Sequence, residues 1–377
     1  MASYWLEDPV EPLPRSAEHG APEVEIVGGG VTGCSCALAL ASAGVRVRLH
    51  EAREVASGAS GRNGGFALRG GAMGYHVARE QLGSTRAREY WQLTERSLER
   101  MSRIAGDALR VVGSLRLAVD AAETAELRAE HDALVEDGFD VRWLDASDLD
   151  GPLRGQFPAG LVHPADGALQ PARWVRRLAS AAAAAGAEIR EGSRIESLDA
   201  LEADRVVIAT DGYTHGLVPE LDVRIRATRG QVLVTETLPE LVFPRPHYAR
   251  HGYDYWQQTP DGRLVIGGSR DAGLEDEWTA EEATTEVVQR HIESLLRDLL
   301  GSSPRVTHRW AGIWGTTDDL LPFVGPVPGR EGVWVAAGYS GHGNVLGFAC
   351  GELVARALTG DRDPLLVVLD PGRPEPS

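Results

Sequence analysis

Residues 24–51 read VEIVGGGVTGCSCALALASAGVRVRLHE. Val24-Glu25-Ile26-Val27 has strand length, and Gly28-Gly29-Gly30-Val31-Thr32-Gly33 follows it in the form G-x-G-x-x-G. A helical pattern then runs to Ser42, Gly44 is placed to stop it, and a second strand over residues 45–49 ends just before Glu51. This spacing predicts the opening βαβ unit of a dinucleotide-binding fold. Gly28 serves the tight turn, Gly30 lets the backbone approach a pyrophosphate, and Gly33 lets helix and strand pack closely. The helix N-terminus offers unpaired N–H groups and a partial positive charge to that pyrophosphate. A carboxylate at Glu51 can accept from both hydroxyls of an adenosine ribose and repels a 2′-phosphate, which disfavours NADP. The fingerprint alone does not separate NAD from FAD.

At 377 residues the chain has room for two domains, or one with a large insertion. The net charge of −17 argues against binding to a nucleic-acid backbone. All 38 basic residues are Arg, so no Schiff-base lysine, lysyl base or P-loop lysine exists. Cys34 and Cys36 lie two apart on the first helix and face different ways, and Cys350 is far off. Three cysteines fit a reducing compartment with no disulfide framework, and no metal site is assigned. No apolar run reaches the roughly 18–20 residues needed to span a bilayer, and residues 1–23 lack a signal-peptide pattern. The expected compartment is the cytoplasm.

Residues 1–23, rich in Pro and acids, read as a surface arm with Tyr4 and Trp5 docked. Residues 56–66, ASGASGRNGGF, are too glycine-rich for a packed element. They predict a ligand-facing loop with Ser60, Arg62 and Asn63 as side-chain donors. Residues 75–107 have a helical pattern, 113–119 a strand and 121–137 a helix stopped at Gly138, together an insertion with no catalytic spacing. A helix from Pro171 to Ala185, extended pieces at 188–190 and 193–198, and a buried strand ending Ala209-Thr210-Asp211-Gly212 return to the nucleotide-binding fold. Residues 217–307 read as a mainly antiparallel sheet with one helix over 279–300; residues 253–269 form a hairpin about the Pro260-Asp261-Gly262 turn. A strand over 333–337, the turn Gly338-Tyr339-Ser340-Gly341-His342-Gly343-Asn344 and a helix to Leu358 repeat the strand–glycine turn–helix arrangement. Residues beyond Pro371 read as a disordered tail.

Five segments in order, GGGVTG with Glu51, GASGRNGG, VVIATDGY, YDYWQQTPDGRLVIGG, and WAGIWGTTDDLLPFVG with GYSGHG, resemble the FAD-dependent amine and D-amino-acid oxidoreductase family over nearly the whole chain. GASGRNGG and GYSGHG most resemble its γ-glutamylputrescine oxidase branch. The resemblance implies an α/β protein: a Rossmann-like FAD-binding domain (residues 24–75, 155–216 and 308–366) and a discontinuous α+β substrate domain on an antiparallel sheet (76–154 and 217–307), with an arm at 1–23 and a tail at 367–377. FAD would then contact residues 28–33, Glu51, Ala52 and Arg53, the loop Ala59, Ser60, Gly61, Arg62, Asn63, Gly64 and Gly65, and Ile195, Ala209, Thr210 and Gly312. Gly341, His342, Gly343 and Asn344 would complete the site, with the last helix aimed at the flavin C2 carbonyl.

The implied reaction is hydride transfer from a neutral amine to flavin N5, giving an imine that water hydrolyses to an aldehyde or keto product. A desolvating pocket would lower the amine pKa, so no base residue is assigned. Glycine-oxidase-like members carry a carboxylate-binding Arg where this chain has Trp314, which favours an amine or larger conjugate over a simple α-amino acid. Arg250 and Arg270 remain carboxylate candidates, and Tyr255, Trp256, Trp314 and Tyr339 are the substrate-pocket candidates. No Cys occurs where sarcosine-oxidase-like members attach FAD, so noncovalent FAD is expected. Those members also use a Lys to promote reaction with oxygen, so the acceptor here is oxygen or another species. The rival readings are a D-amino-acid or glycine-type oxidase or dehydrogenase, and a non-catalytic FAD-binding accessory protein.

Overall fold

A computed structural model describes residues 3–9, 11–14 and 20–374. The apolar strand Val24–Val27 lies inside a six-stranded sheet, flanked by Val206–Ile208 and Val47–His50. Glu188–Arg190 closes one edge; Val333–Ala337 and then Phe323–Pro326 form the other. All pairings are parallel except the last. Buried on both faces, these strands are short and Val/Ile-rich, as parallel sheets require. Glu25 is an acid within that buried strand, held by His50 Nε2 at 3.0 Å and by the N–H groups of Glu202 and Ala203.

The first helix, Val31–Ser42, packs against the closing helix, Gly343–Leu358, and against Pro171–Ala184. Small residues set the closeness: a Cβ at Gly351 would lie 2.4 Å from the Thr32 carbonyl oxygen.

The second sheet has eight strands, in the order Val306–Thr316, Arg226–Thr237, Arg263–Gly268, Asp254–Gln258, His247–Ala249, Ser114–Ala118, Ala159–His163 and Arg142–Asp145. It is antiparallel except where His247–Ala249 meets Ser114–Ala118. Helix Glu286–Leu300 covers one face, burying Val288, Ile292, Leu296 and Leu299 with Leu233, Leu264 and Ile266. The other face is left for the cleft described below. A small third sheet joins Phe66–Ala67, Gly167–Leu169 and Leu109–Arg110.

Several expectations need correction. Strands Ala159–His163 and Val306–Thr316, which lie at the divisions expected at 155 and 308, bond into the eight-stranded sheet. The stretch 75–107 is two helices, Tyr75–Leu82 and Ser84–Ala105, broken at Gly83 with φ +77°. Residues 279–285 are an irregular strap, and the helix starts only at Glu286. Residues 193–198 form no strand, and Leu198 opens the short 3-10 turn Leu198–Ala200. The tail is ordered as far as Pro374: Arg373 bonds both carboxylate oxygens of Asp319, at 2.7 and 2.9 Å, and lies over the Phe323 ring. The rest of that expectation, residues 375–377, lies outside the described residues, as do residues 1, 2, 10 and 15–19 of the arm. Trp5 is docked, 2% exposed, with its indole N–H on the Asn63 carbonyl at 2.8 Å.

Candidate functional site

The glycine turn is built as its spacing demands. Gly28 takes φ +112°, and a Cβ there would sit 2.5 Å from the Ala209 carbonyl oxygen. A Cβ at Gly33 would fall 1.9 Å from the Gly28 oxygen, so helix and strand can touch only through glycine. Gly30 is the helix N-cap without a side chain to cap it. The Val31 N–H is met instead by Ser60 Oγ at 3.0 Å. Glu51, at the end of the second strand, accepts from the N–H groups of Gly29 and Arg53, both at 2.8 Å. The Ser193 N–H on the Glu51 carbonyl, 2.8 Å, brings the segment carrying half-buried Ile195 alongside. Thr210 shares its hydroxyl with Thr214 at 2.9 Å.

A cleft of about 260 Å³ starts at Gly30, Val31 and Thr32 and runs over the loop Ala59, Ser60, Arg62, Asn63 and Gly64 to the uncovered face of the eight-stranded sheet. Gly61 is buried beneath the loop, where a Cβ would meet the Ala56 oxygen at 2.1 Å. Gly65 is likewise hemmed in by Gln257.

Two of the three expected donors of this loop, Arg62 and Asn63, are engaged within the protein, whereas the Ser60 hydroxyl, which accepts from Val31, keeps its O–H to donate. Ser60 accepts from Val31, and Arg62 donates to the carbonyls of Ser57 at 2.7 Å and Ala311 at 3.3 Å and pairs with Glu282 at 3.3 Å. Asn63 is engaged with Asn344, the Gly65 N–H and two loop carbonyls. These side chains brace the loop against the protein. Arg53 is also occupied, bonding both oxygens of Glu282 at 2.8 Å. Ala52 lies beside it, half-buried.

At the far end, strand alternation sorts the aromatic candidates. Tyr255 faces the cleft and stands opposite Tyr248 on the neighbouring strand, which also lines it. Trp256 does not belong to the pocket. One residue on, it points to the opposite face, fully buried against Phe157 and Phe243 and stacked flat on His247 with centroids 5.5 Å apart. Trp314 lines the cleft, its ring occupying the space left by Gly230, where a Cβ would approach within 2.3 Å. Gly312 lies against Arg62. Tyr339 lines the cleft too, but its hydroxyl accepts from Thr32 Oγ1 at 2.8 Å, at the start of the first helix. Arg250 is bound by Asp254 at 3.1 Å and by Asp271, and is not among the lining residues; Arg270 is.

The turn before the closing helix places Gly341, His342, Gly343 and Asn344 along the same cleft, with the helix N-terminus behind them. Burial lowers the His342 pKa to about 4, so the imidazole stays neutral. Burial likewise raises the phenol pKa values of Tyr248, Tyr255 and Tyr339, so all three keep their protons. Left-handed backbone concentrates here. Of the non-glycine residues with positive φ among the described residues, Asp211, His251, Leu320 and Ser340 line the cleft, and Arg250 and Ser269 adjoin lining residues; only Ala56 stands apart.

The sequence reading missed Tyr248, Tyr253, Asp211 and Glu282. Tyr248 could have been found as the cross-strand partner of Tyr255. Asp211 accepts from the N–H groups of Gly315 at 3.0 Å and Gly338 at 2.8 Å, tying both sheets to the cleft. No sequence signal marks Glu282, which lies in the irregular strap.

Comparison with known proteins agrees with this geometry. The sequence pattern of the family described as FAD dependent oxidoreductase, DAO, matches residues 23–357. A probable oxidoreductase, OrdL, of Rhizobium meliloti (strain 1021) is 29% identical, the match covering 93% of this chain and 85% of that protein. The gamma-glutamylputrescine oxidoreductase of Escherichia coli (strain K12) is 26% identical over 90% of this chain and 84% of its own length. Among solved structures, glycine oxidase from Geobacillus kaustophilus superposes with a TM-score of 0.79 at 23% identity, covering 95% of this chain and all of that one (100%). The residues present fit FAD. Small residues and backbone line the cleft at Gly30, Gly64, Gly312 and Gly343, and two helix N-termini open onto it.

Proposed function

The chain belongs to the family of FAD-dependent oxidoreductases, and from that membership we propose that it oxidises the carbon–nitrogen bond of an amine or amino-acid derivative. The product is an imine, which water hydrolyses to an aldehyde or keto compound. Bound FAD supplies the two-electron acceptor. One observation carries the reading: the glycine turn at residues 30–32 and the aromatic wall of Tyr248, Tyr255 and Trp314 line one continuous cleft.

Glu51 and the N-terminus of the first helix would hold the adenosine and pyrophosphate of FAD. The N-terminus of helix Gly343–Leu358 favours negative charge at the other end. The aromatic wall excludes water and strips hydration from an ammonium group, which lowers its pKa and presents the neutral amine. Tyr248 and Tyr255, held protonated by burial, donate hydrogen bonds and do not act as bases. FAD is taken to be held noncovalently; Cys34, Cys36 and Cys350 are buried and outside the lining, which leaves no cysteinyl attachment point on the cleft. The electron acceptor is dioxygen or another oxidant. The protein works in the cytoplasm without a nucleic-acid partner; among the described residues no helix is long and apolar enough to cross a membrane.

Anaerobic mixing of the FAD-loaded protein with γ-glutamylputrescine, putrescine, sarcosine, glycine and D-alanine tests the reading. Bleaching of the flavin by at least one of the three amines γ-glutamylputrescine, putrescine and sarcosine is expected. Bleaching by glycine or D-alanine alone would move the assignment to a glycine or D-amino-acid enzyme. No bleaching by any compound would overturn catalysis in favour of a non-catalytic FAD-binding protein.

A further inference from the structure

The arm ahead of the first strand is built onto the back of the loop that lines the cleft. Ser3 Oγ caps the short turn Tyr4–Glu7, accepting from the Trp5 N–H at 3.3 Å. None of residues 3–8 lines the cleft, yet two of them reach its loop from behind. The Trp5 indole donates to the Asn63 carbonyl at 2.8 Å. Its ring packs so close to Gly65 that a Cβ there would lie 3.2 Å from Trp5 Cζ2. A Cβ at Gly61 would lie 3.0 Å from Leu6 Cδ2. Residues 59–65 include three glycines and only one short 3-10 turn. Glycine loses the most conformational freedom on ordering, so such a loop needs outside contacts to keep one shape. Asn344 supplies them on the cleft side and Trp5 on the other.

The arm is tied to two further parts of the fold. Gln170 Nε2, at the N-cap of helix Pro171–Ala184, donates to the Trp5 carbonyl at 2.9 Å. On the same helix, Arg173 pairs with Asp8 at 2.6 Å and Arg176 donates to the Asp8 carbonyl at 3.0 Å. Glu7 meets His308 Nε2 at 3.0 Å on the edge strand Val306–Thr316. These ion pairs are partly exposed and individually weak. The anchor is therefore Trp5, 2% exposed, with a large ring buried and its one donor satisfied.

We propose that Trp5 is a positioning residue for the cofactor-facing loop, and that FAD and the arm hold each other in place. Trp5 fixes the Asn63 carbonyl and backs Gly65, so residues 59–65 keep the shape that receives FAD. Linkage makes the effect reciprocal: whatever the seated arm adds to FAD binding, bound FAD adds to the seating of the arm. Loss of FAD then loosens residues 4–6 by local unfolding and opens them to attack. The proposal rests on FAD binding alone and holds whichever bond is oxidised.

Two measurements on the full chain test it. In the first, FAD-loaded wild type, Trp5→Ala and Leu296→Ala are diluted in series, and the fluorescence of released FAD gives each dissociation constant. Leu296 is buried beneath helix Glu286–Leu300, so its truncation destabilises the fold away from the loop. Trp5→Ala is expected to weaken FAD binding about tenfold, within the roughly 5–150-fold typical of coupled sites. Leu296→Ala is expected to melt lower and bind FAD as the wild type does. In the second, chymotrypsin, which cuts after aromatic residues, is added to the wild type with and without saturating FAD, and cleavage after Tyr4 or Trp5 is followed by mass. Without FAD the arm is expected to be cut at least about fivefold faster, and ahead of internal sites. The proposal is overturned if Trp5→Ala loses no more affinity than Leu296→Ala. It is equally overturned if FAD leaves cleavage of the arm unchanged, or if the arm is cut no faster than internal sites. Should Trp5→Ala fail to fold, Trp5→Phe replaces it, keeping a ring but not the N–H on Asn63. An affinity about threefold or more below wild type then supports the proposal, and an unchanged affinity opposes it.

Discussion

The carboxamides of Asn63 and Asn344 face each other head to tail, each Nδ2 donating to the other's Oδ1 at 3.1 Å. The residues are 281 positions apart in sequence. Asn344 also donates to the Phe66 carbonyl at 2.7 Å, and Asn63 Oδ1 accepts from the Gly65 N–H at 2.8 Å. The pair therefore clamps the loop after the first βαβ unit to the N-terminus of the closing helix. Asn344→Leu leaves the Phe66 oxygen and half of Asn63 without partners. A loss of about 2–3 kcal/mol is expected, at roughly 1 kcal/mol or more per orphaned group. It should register as a lower melting temperature and as weaker FAD retention on dialysis. Unchanged retention would show that the clamp does not shape the cofactor site.

Gly33 is tested best against Gly44. A Cβ at Gly33 strikes a backbone oxygen at 1.9 Å, whereas at Gly44 it meets nothing within 4 Å, although φ there is +80°. Gly44→Ala costs about 1 kcal/mol from its backbone conformation and leaves FAD bound. Gly33→Ala must separate helix from strand, which overpacking prices at about 1–3 kcal/mol or more. It is expected to purify without flavin. Absorbance at 450 nm relative to 280 nm in the two purified variants decides the matter, on the order-of-magnitude scale set by overpacking.

Glu282 joins the strap at residues 279–285 to the FAD-binding half through Arg53, Arg62 and Tyr213. These partners outweigh its burial and hold its carboxyl below the usual carboxylate range. Glu282→Gln removes the charge that two arginines share. A destabilisation of about 1–3 kcal/mol is expected, discounted because Arg53 is 38% exposed. Faster proteolytic cleavage within the strap would accompany it. Cleavage at the wild-type rate would mean that the strap is held by Thr285 and Gln231 instead, which bond at 2.9 Å.

Acid should unfold this protein partly through its buried histidines. Burial lowers the His163 and His247 pKa values to about 3 and that of His342 to about 4. In the unfolded chain each titrates near about 6.5. Between those limits the unfolded state binds protons that the folded state refuses. Stability is therefore fully present above about pH 6.5 and falls as pH drops towards the folded values, by up to about 1.4 kcal/mol per pH unit for each histidine. His247→Phe keeps a ring against Trp256 and removes one such proton. Urea midpoints at pH 7.5 and pH 5 should differ less for this variant than for the wild type. An equal difference would show that His247 does not contribute.

Noncovalent attachment makes a simple forecast. Precipitation with trichloroacetic acid should leave a white pellet and a yellow supernatant. A yellow pellet would require a covalent link that none of the three buried cysteines can explain without rearrangement.

What the sequence determined by itself was the nucleotide-binding half. Its signals are local: a glycine turn between strand and helix, Glu51 at the end of the next strand, and small residues where two helices touch. Each constrains neighbours a few residues away, so order along the chain suffices to read them. Tertiary structure decided the aromatic end of the cleft. Tyr255 and Trp256 are adjacent and equally aromatic, yet the pleat sends one to the cleft and the other to the core. Which face was which depended on helix Glu286–Leu300 covering one side of the sheet. Arg250 and Arg270 were indistinguishable in sequence as well. Only folding shows the first paired with Asp254 and Asp271 and the second beside the Tyr253 and Trp278 rings without an ion-pair partner among the described residues. The motif that begins at Val24 thus specifies the glycine turn and helix N-terminus at one end of the cleft, and long-range packing selects the side chains that line the other.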